Sequence, residues 1–511
     1  MAGARTLDRA GPRERSLEYA LAVAGAVALA LAFPKFDQTW LAFVGTAALF
    51  WTWQRSSQRT AFFSGWLAGT VFFWISFSWF GYTVGAYVGR LSFALVLIPA
   101  LVEGLTFGVA ALATAYAFRR ASPAAGALAG AAAFAGAEWL RSIGFLGVPL
   151  AQLGYTQVAT PFGVFGAYVG SVGVTFAVAF TGAAVATALA TRRARLAAVP
   201  LVLLAAAWSL CWALWPARRA DVPVVSVAAI QGNVAQSVKW NASVFREALD
   251  RYERLSAIAA RSRPELIMWP ETSVTTYLDR DPVTTARLAR LATALHVNLI
   301  VGTLNNRGGY DKNSLYLFRP DGALAGVYDK RQLVPFVETF PAREVLGWLP
   351  GVSLIGRFEG GRDDTVWQIG ALRYAPLICW ESAFADRTHA QVVGGAQVLL
   401  VATDDAWFGE TSGPFQHAQI AQMRAIENGA WVLRAAQTGV SGIIAPDGRW
   451  TERVGMSQAA AITGKVGAGV GAPFARIGPT PVGAGLIALY ALLAFIMPAM
   501  AGRAAARAGS V

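Results

Sequence analysis

The sequence contains two cysteines among its 511 residues, and the two lie in very different surroundings. Cys211 is flanked by Ala, Leu and Trp within an apolar stretch, where a thiol packs as a small hydrophobic group. Cys379 ends the apolar run that begins at Ala375 and is followed by Trp380 and Glu381. A single thiol at the end of a predicted strand is either a reactive group or a chance occurrence, and residue type alone leaves both interpretations open.

A nucleophilic thiol needs a base or a nearby cation, because the thiolate is the species that attacks. No histidine stands in a strand-end context like that of Cys379; the three are His296, His389 and His417. A carboxylate and an ammonium group supply the same functions. Glu271 follows a predicted buried strand, and Lys330, one of only five lysines, precedes an apolar run that ends at Glu338. On residue type alone, a solvated surface lysine remains the simpler interpretation of Lys330.

The elements that would position these groups begin at about residue 222, where short β-rich runs alternate with helical patterns. The predicted strands are Val222–Ile230, Glu265–Trp269, Val297–Leu304, Leu372–Cys379 and Gln397–Thr403, and the predicted helices are 241–261, 283–295 and 414–429. This alternation predicts an α/β domain with a buried sheet, and such sheets place reacting groups at strand ends. Glu271, Lys330 and Cys379 all stand at ends of this kind.

The rest of the chain has the composition of a membrane protein. Hydrophobic residues make up 55% of the sequence and charged residues 14%, against about 25% charged in a typical soluble domain. The formal net charge of +13 would favour nucleic acid as a partner if it lay on a soluble domain. Residues 217–478, however, hold 27 of the 43 Lys and Arg and 24 of the 30 Asp and Glu. The basic excess therefore belongs to the apolar part, and no nucleic-acid partner is predicted.

Eight apolar stretches approach the length of about 20 residues that a bilayer-spanning helix needs. They lie at about 16–33, 38–53, 61–84, 92–118, 123–140, 160–190, 196–215 and 479–500. Thirteen Lys and Arg flank them on one side and three on the other, so the positive-inside rule places both termini in the cytoplasm. A cleaved signal peptide is the alternative for the first stretch, and cleavage would not change the side on which the polar block lies.

The predicted organisation has three parts. Residues 1–216 form an N-terminal membrane domain of about seven transmembrane helices, and residues 217–478 form an exported α/β domain. Residues 479–511 form a last transmembrane helix and a cytoplasmic tail. Within the exported domain, the irregular segment Thr339–Gly361 contains apolar runs that either pack on their own domain or dip into the lipid surface. In the membrane domain, Glu138 and Arg141 are three residues apart, which predicts an ion pair on one helix face.

Three ordered motifs, from about Val224 to Gly464, resemble the nitrilase or carbon–nitrogen hydrolase superfamily. These are Glu271 in Trp-Pro-Glu, Lys330 after Tyr-Asp, and Cys379 in Cys-Trp-Glu. The resemblance implies an αββα sandwich in which Glu271 is the general base, Lys330 stabilises the oxyanion and Cys379 is the nucleophile. The spans around this domain further resemble the apolipoprotein N-acyltransferase branch. Residues Gln332, Val337, Asp404 and Gln437 depart from the pattern of that branch.

The resemblance implies a ping-pong acyl transfer that uses no metal and no cofactor. A phospholipid would donate its acyl chain to Cys379, and the thioester would acylate the N-terminal amine of a diacylated prolipoprotein. The enzyme would act as a monomer in the bacterial inner membrane, with its α/β domain on the periplasmic side. Supporting roles fall to Glu338, which would orient Lys330 or assist proton transfer, to Glu381 beside the nucleophile, and to the backbone N–H of Trp380. For both carboxylates, a structural ion pair is the alternative.

Candidates to line an acyl channel are the aromatic residues Trp240, Phe336, Trp407, Phe408 and Phe415, although aromatic residues in such domains are more often plain core. Two rival functions remain at this stage. The first is a membrane-tethered amidase or nitrilase-type hydrolase that uses water as the acceptor. The second is a transporter or scaffold whose α/β domain has no activity, which the small number of charged residues within the spans disfavours.

Overall fold

The computed structural model describes residues 12–215, 224–307, 309–348 and 352–508, and it begins with a bundle of apolar helices. The helices are α1 (Pro12–Leu31), α2 (Leu41–Arg55), α3 (Gln58–Ser76), α4 (Ser78–Val88), α5 (Ser92–Leu95), α6 (Leu97–Arg120), α7 (Pro123–Arg141), α8 (Gly166–Thr191) and α9 (Arg195–Ala213). Each of the seven stretches predicted before residue 217 coincides with helical structure. The eighth coincides with α17 and α18, described below.

Among the described residues, four helical segments are long and apolar enough to cross a bilayer: Ser92–Arg120, Pro161–Thr191, Arg195–Ala213 and Pro479–Arg503. The bent pair of α3 and α4 meets the same criterion if it counts as one span. Helices α1, α2 and α7 do not meet it, and α2 has only 15 residues. No residue of α9 is fully buried, although Leu204, Trp208 and Cys211 pack against the core of the membrane domain. The count of eight spans stays a prediction.

A break at Phe77 corrects the prediction of one continuous span over 61–84. Helices α3 and α4 meet there at an angle of 52°. The side-chain amide of Gln416, from the α/β domain, donates a hydrogen bond of 3.1 Å to the carbonyl oxygen of Ser76. Thr83 donates one of 2.9 Å to the carbonyl oxygen of Trp407. Gln416 of the second domain thus satisfies a backbone carbonyl at the break, and a pattern of apolar residues gives no indication of such a partner.

Two β-sheets form the centre of the second domain. The strands are β1 (Val225–Gln231), β2 (Leu266–Met268), β3 (Val274–Tyr277), β4 (Asn298–Asn305), β5 (Lys312–Phe318), β6 (Leu324–Asp329), β7 (Trp367–Ile369), β8 (Leu372–Ile378), β9 (Val398–Thr403), β10 (Trp431–Ala436), β11 (Ser441–Ile444), β12 (Trp450–Val454) and β13 (Ala460–Val466). The first sheet has the order β13-β1-β2-β4-β5-β6 with β3 beside β4, and the second has the order β12-β11-β10-β9-β8-β7. All five predicted strands are present within two or three residues of their predicted bounds.

Two helices cover the outer face of each sheet: α11 (Ala242–Ala260) and α12 (Pro282–Leu295) pack on the first, and α14 (Ala385–Val393) and α15 (Gly413–Asn428) pack on the second. The remaining helices are the single turns α10 (Gln236–Lys239) and α13 (Arg343–Leu346), and after the last strand α16 (Phe474–Ile477), α17 (Pro479–Ala491) and α18 (Met497–Ala508). Alternate residues of β1 point to opposite faces: Val227 packs between the sheets, whereas Ala228 packs beneath the helices of the first sheet. The prediction of an αββα sandwich is confirmed.

One apolar core joins the membrane helices to the α/β domain. It contains Phe72 and Phe107 of the membrane domain together with Phe384, Ile420 and Met423 of the second domain. The two domains therefore share buried surface over an extended junction, and α15 lies at its centre.

A buried ion pair of α15 lies at this junction. Arg424 Nε and Glu427 Oε2 are 2.9 Å apart, and both side chains are fully buried. Gly170 interrupts α8 with a φ of 66°, where an added Cβ would lie 2.4 Å from the ring of Phe474. The interruption frees the backbone N–H of Ser171, which donates a hydrogen bond of 2.7 Å to Glu427 Oε1. Glu427 therefore caps a membrane helix while it pairs with Arg424.

Removal of one charge from this pair is expected to destabilise the whole chain. Glu427→Leu leaves Arg424 buried without its carboxylate, which typically costs about 3–5 kcal/mol of unfolding free energy. The double variant Arg424→Met with Glu427→Leu should recover most of that loss, because it leaves no buried charge. Thermal unfolding of the detergent-solubilised protein measures both effects. As a matched control, Glu247→Gln removes an exposed partner of Arg251 and should change stability by less than about 1 kcal/mol.

Two smaller predictions have separate outcomes. Arg141 lies 4.0 Å from Glu138, which confirms the predicted pair, but it also lies 3.6 Å from Glu103 of α6.

In the segment 339–361, Val352 is buried, whereas Val345 and Trp348 are 71% and 77% exposed. The segment thus combines a packed part with exposed apolar side chains, and residues 349–351 lie outside the described part of the chain.

Candidate active site

Glu271, Lys330 and Cys379 come together at one edge of the sandwich. Glu271 follows β2, Lys330 follows β6 and Cys379 follows β8. The ammonium nitrogen of Lys330 is 3.3 Å from Glu271 Oε1 and 3.0 Å from Glu338 Oε1. The charges of Glu271 and Lys330 both act on the Cys379 thiol. The sandwich fold therefore assembles, from residues more than 100 positions apart, the group that the sequence motifs predicted.

Cys379 sits on a sharp turn where β8 passes into a short 3₁₀ helix, Cys379–Ala383. Its φ of 51° is unusual for a residue with a side chain and indicates local backbone strain. Ser382 Oγ donates a hydrogen bond of 2.8 Å to the Cys379 carbonyl oxygen. Burial and the Glu271 carboxylate raise the pKa of the thiol well above its ordinary value, although Lys330 acts in the opposite direction. These effects favour the protonated thiol over the thiolate.

Glu271 is held as a carboxylate in a buried position. Burial alone would raise its pKa, but Lys330 and Lys239 outweigh that effect and hold the pKa below its ordinary value. Asn313 donates 2.7 Å to Oε1, and the backbone N–H of Asp404 donates 2.8 Å to Oε2. Hydrogen bonds to the charged form favour it further. Glu271 is thus poised to accept a proton.

Lys330 remains an ammonium group despite its burial. Burial would lower its pKa, but the carboxylates of Glu271 and Glu338 raise the pKa above its ordinary value. Glu338 also accepts hydrogen bonds from Asn313 at 3.2 Å and from the backbone N–H of Val334 at 2.8 Å. Glu338 therefore contacts Lys330 directly, in the position from which an orienting role was predicted.

Glu381 connects the turn of Cys379 to the segment that follows Lys330. Its carboxylate accepts 2.7 Å from the backbone N–H of Ile378 and 2.7 Å from that of Arg331. The hydroxyl of Tyr328 donates to both carboxylate oxygens. Burial raises the pKa of Glu381 against the effect of these hydrogen bonds. Its contacts are with backbone N–H groups and a hydroxyl, so the alternative of a structural ion pair does not describe them.

The aromatic residues predicted at the site lie in different surroundings. Trp380 is half-buried, packs against the shared core and lies 5.6 Å from the ring of Phe384. Trp240 and Phe336 are 52% and 57% exposed. The ring of Phe408 contacts that of Trp79 at 4.7 Å.

Two further aromatic candidates lie at the boundary with the membrane helices. The carbonyl oxygen of Trp407 accepts from Thr83 of α4. Phe415 lines a cavity of about 420 Å³ together with Lys35, Asp37 and Glu410. None of the three predicted catalytic residues lines that cavity.

The sequence motifs assigned no role to several polar residues at the site. Asn313 bridges Glu271 and Glu338. His417 Nε2 lies 3.2 Å from the Cys379 carbonyl oxygen, and Nδ1 lies 2.9 Å from Asp405. His417 thus contacts the backbone of the turn. The position of Asp405 after β9 was a usable signal, whereas Asn313 gave none.

Comparison with known proteins adds independent observations. Residues 226–468 match the carbon–nitrogen hydrolase family model, and residues 25–184 match the model of the apolipoprotein N-acyltransferase N-terminal domain. The apolipoprotein N-acyltransferase of Coxiella burnetii is 31% identical over 487 residues, which cover 93% of this chain and 99% of that protein. The chain belongs to the apolipoprotein N-acyltransferase family. The family member from Azotobacter vinelandii is 33% identical over 461 residues, and the aligned region covers 87% of this chain and 88% of that protein.

Among solved structures, a variant of an amidase of the nitrilase superfamily from Nesterenkonia AN1 is similar at 18% identity. The superposed region covers 50% of this chain and 95% of the amidase, with a TM-score of 0.40. Membership of the apolipoprotein N-acyltransferase family makes this protein an acyltransferase of lipoprotein maturation. Its architecture is a helical membrane domain joined to a nitrilase-like domain, as predicted.

Proposed function

We propose that this family member transfers an acyl chain from a phospholipid to the lipoprotein N-terminus through a thioester on Cys379. The observation that carries the proposal is the geometry of one buried cluster, in which Lys330 Nζ lies 3.3 Å from Glu271 Oε1 and 3.0 Å from Glu338 Oε1 beside the turn of Cys379. The directions of the pKa shifts favour a protonated thiol, an ionised Glu271 and a cationic Lys330 in this cluster. These are the states that general-base activation of a thiol requires.

The first half-reaction is thioester formation. Glu271 accepts the Cys379 proton while the sulfur attacks the ester carbonyl carbon, and the carbonyl oxygen becomes an oxyanion. Within the described residues, the Lys330 ammonium spends two of its three N–H groups on Glu271 and Glu338, which leaves one for the oxyanion. The backbone N–H of Trp380 is the second proposed donor. The C–O bond then breaks, and Glu271 returns the proton to the leaving lysophospholipid.

The second half-reaction uses the same groups. The free α-amine of the diacylglyceryl-cysteine attacks the thioester carbonyl, again with Lys330 at the oxyanion. The amine proton passes to Glu271 and then to the departing Cys379 sulfur, so the thiol is regenerated and an amide is released. Glu338 and Glu381 are proposed as positioning residues, because their contacts hold Lys330 and the turn of Cys379.

The location of the site suits lipid substrates. Trp380, next to the thiol, packs against the core that is shared with the membrane helices. A site at this junction admits acyl chains from the bilayer and limits the access of water that would hydrolyse the thioester. With the positive-inside distribution of cations, we further propose that the α/β domain faces the periplasm and that both termini are cytoplasmic.

Mass spectrometry of the intact enzyme after incubation with phospholipid alone tests the proposal. We expect one acyl group on Cys379 and one equivalent of lysophospholipid. Addition of a diacylated lipopeptide should then discharge the thioester into N-acylated product. If free fatty acid accumulates and no N-acyl lipopeptide forms, the enzyme is a hydrolase and the proposed acceptor is wrong.

A further inference from the structure

A second buried cation lies beside Glu271, outside the three motifs. Lys239, the last residue of α10, is 3% exposed, and Asp404, which follows β9, is 2% exposed. The ammonium group of Lys239 binds Asp404 Oδ2 as an ion pair. Burial of two charges is unfavourable unless both are paired and hydrogen-bonded. The proposed transfer mechanism makes no use of this pair.

Both members of the pair reach Glu271 through the backbone. The N–H of Asp404 donates 2.8 Å to Glu271 Oε2, and Asp404 Oδ1 accepts from the N–H of Ala406, which fixes that turn. Lys239 Nζ donates 3.3 Å to the Glu271 carbonyl oxygen and also bonds Thr272 Oγ1. Thr272 has a φ of 45°, a strained conformation for a β-branched residue. The pair therefore holds the carboxylate of Glu271 at one end and its main chain at the other.

We propose that Lys239 and Asp404 are positioning residues that fix the direction of the Glu271 carboxylate and balance its affinity for a proton. The proposal rests on the function of Glu271 as the general base. Lys239 contributes a positive charge that favours the carboxylate, and Asp404 contributes a negative charge that opposes it. Paired, the two charges partly offset each other, so Asp404 limits how far Lys239 lowers the pKa of Glu271.

The groups that face Glu271 come from every neighbouring element. They are Lys239 of α10, Lys330 after β6, Cys379 after β8 and Asp404 after β9, with Glu338 beyond Lys330 and Tyr252 of α11 beyond Asp404. Lys239 is among the causes that lower the pKa of Glu271, and Glu271 is among those that raise the pKa of Asp404. The two carboxyl groups are thus electrostatically coupled, and a change at one is felt at the other.

The pH dependence of the rate of thioester formation tests this balance. The rate falls at acid pH as Glu271 becomes protonated. Asp404→Asn removes a negative charge, so the pKa of Glu271 should fall and activity should extend to pH values lower by about one unit. The rate on the plateau should fall several-fold, because the base is weaker. Lys239→Met removes a positive charge, so the pKa of Glu271 should rise. The part of the pH profile in which the rate falls at acid pH, the acid limb, should then move to pH values higher by about one unit.

The double variant Lys239→Met with Asp404→Asn separates charge from folding. It should return the acid limb to within a few tenths of a unit of the parent position, because the two changes cancel. Lys312→Met, at a more exposed ion pair with Asp329 on the same sheet, should leave the limb unmoved. Thermal unfolding of each variant identifies any that fails to fold. The double variant leaves no unpaired buried charge, so its pH profile can be compared with that of the parent even if a single variant is unstable.

Each result bears on one claim. Opposite shifts in the two single variants, cancelled in the double variant, support the balance. Slower thioester formation with an unshifted limb in both single variants would reduce the pair to a structural role and overturn the inference. Glu271→Gln serves as the separate test of the base: if that variant forms the thioester at the parent rate, the proposed function of Glu271 is wrong, whatever the limbs show.

Discussion

Replacement of Cys379 by alanine is expected to abolish acyl transfer, with a loss of roughly 10⁴-fold or more in turnover. The thiol is the only group in the proposed mechanism that forms a covalent bond to the acyl chain, so no other residue can take over its function. Mass spectrometry should show no acylated enzyme after incubation with phospholipid. The N-acyl lipopeptide should be absent from the same samples.

The second cysteine supplies the control. Cys211→Ala changes a half-buried thiol of α9 that packs against apolar neighbours, so transfer should continue at close to the parent rate. A Cys379→Ala variant that still yields N-acyl lipopeptide would mean that the acyl group passes directly from lipid to amine. The proposed thioester would then have to be abandoned.

Lys330→Met is expected to slow thioester formation by roughly 100- to 1,000-fold, the usual effect of the loss of one oxyanion donor. The methionine keeps much of the volume of the side chain but offers no N–H to the oxyanion. It also removes the cation between Glu271 and Glu338, so the pKa of Glu271 should rise toward or above its ordinary value. The acid limb of the rate should therefore move to higher pH. Single-turnover measurements over a range of pH give both quantities.

Lys312 provides the matched lysine for this experiment. It lies on β5 directly before Asn313, but its ammonium group pairs with Asp329 at 3.4 Å, and it is not among the principal charges that act on the pKa of Glu271. Lys312→Met should retain a rate within a few-fold of the parent. If Lys330→Met and Lys312→Met behave alike, stabilisation of the oxyanion by Lys330 is not the source of the rate.

The sequence predicted the sandwich because its central strands have a strong local signature. Residues such as Ile267 and Leu399 lie in short apolar runs with turn residues at their ends, and both are fully buried. The strands after residue 430, the pair β5 and β6, and the short strands β3 and β7 were missed. In β12 and β13 polar and small residues interrupt the apolar pattern, so local periodicity gives a weaker indication.

The clustering of the candidate site residues could be predicted where chemistry and position coincide on one residue, whereas their catalytic roles stay a prediction. Glu271 lies three positions after the buried strand β2 and Cys379 directly follows β8, and the motif order indicated their association. Asn313 gave no such signal, because its importance comes from contacts with residues 42 and 25 positions away. The same holds for the backbone N–H of Asp404, since every residue except proline carries that group and only the fold directs it toward Glu271.

The shared core at the junction means that the nitrilase-like domain is not closed on the side of the membrane. Phe384, Ile420 and Met423 are buried by packing against helices of the other domain. Cut free of those helices, the domain would expose an apolar face to water and leave Glu427 without the N–H of Ser171. The helices of the membrane domain thus cover an apolar face that the nitrilase-like domain cannot bury by itself. In the proposed mechanism, this junction would let a lipid reach the thiol without leaving the bilayer, at the expense of a domain that is soluble without its helices.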